Sequence, residues 1–205
     1  HLSIHRPVRP GDTLVIKGDI TAILPHRAGT HVVLRFNAFD SEAKPVFTEH
    51  IGAMMRGVQC SDGGKGGDAV PALPVRPGND RSLWESKIFI HPLSPYIYDG
   101  CTNIHFPIHT SVQFAHRVGL PGIIHQGTRT LALAVREIIG RESGGDPRRI
   151  DVVSCRFTGM VLPGSDITVH LAEKKPSPEG THLFFSVINA DGQRAISDGH
   201  ITLKQ

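Results

Sequence analysis

The chain has 205 residues, of which 39% are hydrophobic and 20% charged, the composition of an ordinary globular protein with room for one large core or two small ones. Its formal net charge of +3 is small, and the charges are scattered, so neither a nucleic acid nor a membrane is predicted as a partner. Three cysteines, Cys60, Cys101 and Cys155, without CxxC spacing predict no disulfide framework and no zinc ribbon, and they favour a reducing, cytoplasmic setting.

An internal repeat organises the chain. Residues 5–19 resemble residues 158–171, and the segment Gly29–Val33 (GTHVV) resembles Gly180–Phe184 (GTHLF). The match continues from residues 37–40 to residues 188–191 with a slip of one residue. Each half is predicted to form three strands: one led by Pro-Gly, one after Gly-Thr-His, and one after an Asp-centred turn.

The repeat divides the chain into an N-terminal partial unit at residues 1–60, a linker at residues 61–81 and a complete C-terminal unit at residues 82–205. The linker (SDGGKGGDAVPALPVRPGN and the residues after it) mixes flexible glycines with stiff prolines and is assigned no chemistry. The N-terminal unit lacks a counterpart of the helical block at residues 98–140. Either this helix has been lost or it was encoded before His1, and we favour the second interpretation.

The C-terminal unit begins with a strand predicted at residues 84–90. Pro92 and Pro95 then end the strand and begin a polar loop. A short helix, a Pro-Gly turn and a longer helix that starts at Gly127 are predicted to follow. The longer helix has an apolar stripe, Leu131, Val135, Ile138 and Ile139. Its free N–H groups and dipole suit a developing negative charge on a substrate oxygen.

Thirteen histidines suggest a metal site, but the pattern does not support one. His105 and His109 are four residues apart, yet Pro107 lies between them and no acidic residue completes a ligand set. We therefore predict no metal. His116 is interpreted as a surface or packing residue. His109 is predicted to be functional, because a rigid Pro-Ile segment precedes it and an imidazole is the usual acid or base near neutral pH.

The segment around His109 and Gly127 resembles the motif of a known family. The segment FPIHTSVQFAHRVGLPGIIHQGTRTLALA is similar to the motif of the MaoC-like, R-specific enoyl-CoA hydratases and dehydratases of the hotdog superfamily. The matching positions are Pro107, Ile108, His109, Phe114, Ala115, Pro121, Gly122 and Gly127. The resemblance implies an α+β fold, a double hotdog in which two antiparallel sheets join side by side and wrap a central helix.

The same comparison shows three departures from the family motif. Ile104 stands where the family has its catalytic Asp, Phe106 stands where it has Asn, and Gln126 stands where it has the His before the helix-opening Gly. The candidates for the missing second catalytic group are Asp99, Asn103 and His105, although Asp99 is equally interpreted as a turn residue. We expect His105 to be the partner of His109, because an imidazole both accepts and donates a proton.

The predicted function is hydration or dehydration of an acyl-CoA thioester, the reversible conversion of 2-enoyl-CoA to 3-hydroxyacyl-CoA. His109, His105, Asn103 and Asp99 are the catalytic candidates, and Gly127, Gln126 and Tyr98 are the candidates for holding the substrate and its oxygen. No cofactor is expected beyond the coenzyme A of the substrate. A thioester-binding protein or a thioesterase is the alternative, favoured by the loss of Asp at position 104. Exposed strand edges favour a homodimer or a higher homo-oligomer.

Overall fold

One antiparallel sheet of nine strands runs through the protein, which the computed structural model describes at residues 1–74 and 82–205. The strands are β1 (Leu2–Ile4), β2 (Val15–His26), β3 (Gly29–Phe39), β4 (Pro45–Arg56), β5 (Trp84–Phe89), β6 (Ile150–Phe157), β7 (Asp166–Ser177), β8 (Gly180–Ile188) and β9 (Arg194–Leu203). Their order across the sheet is β2-β3-β4-β1-β6-β9-β8-β7-β5. Strand β5 is therefore an edge strand of the sheet rather than a neighbour of β6.

Two strand triplets, β2-β3-β4 and β7-β8-β9, have the same strand order and share two local features. The first strand of each triplet carries a bulge, at Thr21 and at Ala172. The last turns also match: Asp40 Oδ1 accepts hydrogen bonds from the N–H groups two and four residues on, and Asn189 Oδ1 does the same. The structural equivalent of Asp40 is thus Asn189, not Asp191 as the sequence match suggested.

The triplets join through a short seam. Strand β1 pairs with β4 on one side and with β6 on the other, where Leu2 lies opposite Val153. The expectation of two sheets side by side is therefore corrected to a single continuous sheet. Strand β1 has only three residues, but it joins the two triplets because both of its edges are paired. It therefore has no unpaired backbone edge.

The C-terminal half contains three α-helices: α1 (Ser94–Thr102), α2 (Val112–Arg117) and α3 (Gly127–Glu142). The main core forms between α3 and strands β6 to β9, with Leu133, Ala134, Ile138 and Ile139 as the buried apolar residues of α3. Two members of the predicted stripe, Leu131 and Val135, are only partly buried. No described helix is long and apolar enough to cross a membrane.

Helix α1 replaces the polar loop expected after Pro95. Proline is well tolerated in the first turn of a helix, where its missing N–H would have no intrahelical partner, and Pro95 occupies that position. The helix ends at Asn103, whose backbone is left-handed with φ 55°. The polar candidates Tyr98 and Asp99 consequently lie on a helix.

The N-terminal triplet has no such cover. No α-helix precedes Ser94 in the described part of the chain. The sheet face that α3 covers in the C-terminal half continues onto this triplet through Leu2 and Val153. There it carries apolar side chains that are largely exposed, among them Ile16, Ile20, Ile51 and Met55.

The first part of the linker lies against the edge of the sheet. Lys65 pairs with Ile23 of β2, with N···O distances of 3.0 and 2.8 Å in the two directions. Glycine is required beside this contact, because a Cβ on Gly66 would lie 2.0 Å from the carbonyl oxygen of Thr21. The remainder of the predicted linker, residues 75–81, lies outside the described residues.

Candidate active site

His109 is held in one tautomer by a backbone carbonyl. It ends a 3₁₀ turn, Pro107–His109, whose first residue has the fixed φ of proline. Its Nδ1 lies 2.8 Å from the carbonyl oxygen of Ile124. A carbonyl oxygen only accepts, so Nδ1 carries the proton and Nε2 keeps its lone pair. No described residue donates a hydrogen bond to Nε2, so this nitrogen is available to accept a proton.

His109 opens onto a cavity of about 150 Å³ that it shares with the start of α3. The polar side chains that line this cavity are those of His109, His125 and Thr130; Gly127 also lines it, and its apolar walls include Phe157, Met160 and Val161. No carboxylate lines it among the described residues. His109 and His125 are therefore the only ionisable side chains on its wall among the described residues.

Helix α3 begins at Gly127, as the sequence predicted. Gln126 is the N-cap, and its side chain makes no capping hydrogen bond, so the first-turn N–H groups remain available. A Cβ on Gly127 would lie 2.9 Å from the ring of Phe157. Because Gly127 has no side chain, Phe157 packs against the first turn of α3, which we call the helix mouth. The positive end of the helix dipole faces the cavity.

His125 is the residue that the sequence analysis did not select, although it is buried in the cavity wall. Its Nδ1 lies 2.9 Å from Thr130 Oγ1, and its Nε2 lies 3.0 Å from Ser94 Oγ. Thr130 Oγ1 in turn donates to the carbonyl of Gln126 at 3.2 Å. The threonine hydroxyl hence accepts from His125, and the Ser94 hydroxyl donates to Nε2.

Both nitrogens of His125 are thus occupied, and the ring stays neutral. Burial, with smaller effects from the charges of Arg129 and His109, lowers the pKa of His125 to about 4. Only the packing of α1 against α3 brings Ser94 to this ring. The pattern His125-Gln126-Gly127 was the one available signal for it in the sequence.

Gln126 connects the start of α3 to α1. Its amide nitrogen donates to Asp99 Oδ1 at 2.5 Å and to the carbonyl of Pro95 at 2.9 Å. Both Gln126 and Asp99 are buried. The structure therefore gives Asp99 a contact within the scaffold and does not place it on the cavity.

The remaining candidates lie outside the cavity. Asn103 Oδ1 contacts His105 Nε2 at 2.9 Å, and both residues are exposed. His105, which the sequence analysis favoured as the partner of His109, contacts Asn103 on the exposed turn after α1 and is not among the residues that line the cavity. Tyr98 donates to Thr128 Oγ1 at 3.1 Å on the outer side of α1. Ile104 is 55% exposed.

The two departures from the family motif beside His109 differ in their contacts. Phe106 packs edge-on against His109, with ring centroids 6.0 Å apart, so it takes part in holding the imidazole. Ile104 lies two residues earlier and is absent from the cavity wall. Within residues 1–74 and 82–205, no group of three or more His, Cys, Asp or Glu has the geometry to hold a metal ion.

The chain is similar to several known proteins. The family described as "MaoC like domain" matches residues 86–181. The chain is 24% identical over 213 residues to the peroxisomal multifunctional enzyme type 2 of Drosophila melanogaster, covering 100% of this chain and 33% of that protein. It is 28% identical over 195 residues to the probable enoyl-CoA hydratase 2 of Dictyostelium discoideum, covering 90% of this chain and 62% of that protein.

Among solved structures, a MaoC-like dehydratase from Phytophthora capsici superposes with a TM-score of 0.88 at 21% identity, covering 100% of this chain and 69% of that one. At this identity the likeness concerns the fold, an antiparallel sheet with a few helices. The chain spans less than two thirds of the length of the two curated relatives. The turn that carries His109 and the start of α3 at Gly127 lie inside the segment, residues 86–181, that is similar to the MaoC like domain.

Proposed function

We propose that this protein hydrates 2-enoyl-CoA thioesters and dehydrates 3-hydroxyacyl-CoA thioesters at the cavity of His109. The observation that carries the proposal is the pairing of a free imidazole nitrogen with the start of α3 on one small cavity. The name of the Dictyostelium relative, a probable enoyl-CoA hydratase 2, supports this substrate class.

The first-turn N–H groups of α3 are proposed to bind the thioester oxygen. As water adds to the β-carbon, negative charge moves onto this oxygen, and donors already pointed at it stabilise the enolate without rearranging. Gly127 supplies the closest approach, since it has no side chain between its backbone and Phe157. The apolar wall excludes water and so strengthens the interaction.

His109 is proposed to move the proton. Its Nε2 takes a proton from the attacking water, the water oxygen bonds to the β-carbon, and the resulting imidazolium gives the proton to the α-carbon of the enolate. Because one imidazole performs both transfers, hydroxyl and hydrogen add to the same face of the double bond. The carbonyl of Ile124 fixes the ring and stabilises the imidazolium.

The other site residues are proposed to act through position. His125 and Gln126 hold the start of α3 against α1, with Asp99 as the acceptor for Gln126. Asn103 and His105, which contact each other at the surface, are given no part in proton transfer, and Tyr98 is given none in holding the thioester oxygen.

Three further points belong to this proposal. The matched bulges and turns of the two triplets support a duplicated double hotdog, with a partial unit at residues 1–60 and a complete one at residues 82–205. Coenzyme A enters only as part of the substrate. A cytoplasmic location and a homodimeric or larger assembly, in which the edge strands β2 and β5 find partners, remain predictions that size-exclusion chromatography and fractionation test.

A thioesterase or a thioester-binding protein is the second candidate. The cavity wall has no carboxylate among the described residues, and Ile104 replaces the family Asp. A thioesterase would use His109 to direct water to the thioester carbon instead of the β-carbon.

Crotonyl-CoA distinguishes the three activities in one experiment. The enone absorbance and the free thiol are followed in parallel on the same sample. Loss of absorbance without thiol release supports the hydratase, and thiol release supports the thioesterase. No change in either signal contradicts both enzymes and leaves the thioester-binding protein as the candidate.

A further inference from the structure

A second cavity lies outside the site of His109. It is a cleft of about 520 Å³ between the edge strand β5 and helices α1 and α3, a volume in the range that holds small organic ligands. We call it the outer cleft. Its apolar walls include Ile88 from β5, Ile97 from α1 and Leu133 from α3, and Arg129, Arg136 and Cys101 also line it.

The charges of the outer cleft are one-sided. Arg129 and Arg136 line it, and no described carboxylate does. Arg136 bonds its neighbour Glu137 at 2.9 Å, so its charge is already partly balanced. Arg129 lies 5.9 Å from the ring centroid of Tyr98 and makes no ion pair with a described residue. The guanidinium of Arg129 therefore has no anionic partner among the described residues and is available to bind one.

The apolar walls lie beside this cation along one helix face. Arg129 and Leu133 are four residues apart on α3 and so share a face, and Ile88 and Ile97 line the same cleft from the other two elements. Ile97 is 60% exposed, although α1 is packed against α3 at its other side. An apolar surface of this kind, next to an unpaired guanidinium, fits a molecule with an alkyl body and one anionic head.

We propose that the outer cleft binds a fatty carboxylate. The carboxylate bonds the guanidinium of Arg129, and the alkyl chain lies over Leu133 between β5 and α1. This site is separate from the cavity of His109, since the side chain of Ser94 and the ring of His125 stand between the two. The proposal does not depend on any hydratase activity.

Cysteine alkylation provides a local readout. Cys101 is exposed on the outer cleft, Cys60 is partly exposed elsewhere, and burial raises the pKa of Cys155 to about 11. The full chain is treated with N-ethylmaleimide, and the rate at each cysteine is measured by peptide mass spectrometry. The probe is decanoate, with decanol as the uncharged equivalent and coenzyme A as the phosphate-bearing alternative.

Decanoate at ten times its dissociation constant is expected to slow alkylation of Cys101 about tenfold, because the free fraction of the site falls by that factor, and to leave Cys60 unchanged. Arg129→Gln is expected to abolish this protection, and Arg141→Gln, on the same helix but outside the cleft, to retain it. Circular dichroism verifies that both variants fold. Absence of protection, equal protection by decanol, or protection by coenzyme A instead of decanoate would overturn the proposal. Because this experiment measures no turnover, its result does not depend on the outcome of the hydratase assay.

Discussion

The carbonyl oxygen of Ile124 lies 2.8 Å from Nδ1 of His109, and this contact connects the segment before α3 to the turn that carries the imidazole. Ile124 N–H in turn donates to the carbonyl of Ile108 at 3.1 Å. The two segments are thus held together by two hydrogen bonds, both of which involve the backbone of Ile124. A base fixed in this way approaches the helix mouth with little freedom to rotate, which is the condition for efficient proton transfer.

The mouth of α3 is sensitive to a single methyl group. Gly127→Ala places a Cβ 2.9 Å from the Phe157 ring and must displace that ring within the cavity wall. We expect crotonyl-CoA turnover to fall about 10-fold to 100-fold, because small misplacements at a reacting centre have effects of that size.

Gly140→Ala is the matched control for this change. It lies on the same helix, and no atom lies within 4 Å of the added Cβ. It should leave turnover unchanged and raise the free energy of unfolding by up to about 1 kcal/mol, since alanine is the better helix former. Equal turnover in both variants would show that the helix mouth does not hold the substrate oxygen.

The contact of Gln126 with α1 predicts a loss of stability. Gln126→Ala removes the donor to Asp99 Oδ1 and to the Pro95 carbonyl, both at buried positions. We expect the free energy of unfolding in urea to fall by about 1–3 kcal/mol, the cost of leaving a buried polar group unpaired. Gln126→Glu should be worse than the alanine variant, because it sets two carboxylates against each other. A glutamate variant as stable as the native protein would contradict the assigned contact.

A histidine pair in the sheet predicts that stability depends on pH. His200 Nε2 lies 2.9 Å from His182 Nδ1, and burial, with the charge of His182, lowers the pKa of His200 to about 4. A histidine whose pKa is 6.5 when unfolded and about 4 when folded binds its proton more readily in the unfolded chain. Stability is therefore full above pH 6.5 and is lost as the pH falls towards 4.

Urea unfolding at a series of pH values measures this dependence. The buried, neutral His125 contributes in the same direction, as does His50, whose pKa is also lowered by burial. His200→Gln is expected to reduce the slope between pH 6.5 and 4, whereas a change at the exposed His116 should not. An unchanged slope in the His200 variant would refute the assignment.

Sequence reasoning identified the parts of the fold that depend on local pattern. The start of α3 at Gly127 and the strand at residues 84–90 followed from periodicity and turn residues, and the structure places them there within one residue. The shared strand order of the triplets followed from the GTH repeat, because similar strands with similar turns pair alike. The equivalence of Asp40 with Asn189, two residues before the position that the sequence match gave, was not predicted. A match of residue types does not show how the lengths of the loops differ.

The candidate site was predicted less completely, for physical reasons. His109 and Gly127 belong to a motif with rigid spacing, and the structure brings them to one cavity. His125 was not, because its role depends on a hydroxyl from Ser94, thirty-one residues away along the chain. His105 was preferred for its chemistry alone, whereas its location is decided by the left-handed turn at Asn103 that ends α1 on the surface.

The turnover of crotonyl-CoA by His109→Ala tests the central claim most directly. His109 is the one imidazole on the cavity with a free nitrogen among the described residues, so its removal should lower the rate by about 100-fold to 10,000-fold with circular dichroism and unfolding little changed. His116→Ala, an exposed histidine that contacts the Pro121 carbonyl, should retain the native rate. A His109→Ala protein that hydrates crotonyl-CoA as fast as the native one would contradict the proposed chemistry and favour a thioester-binding role.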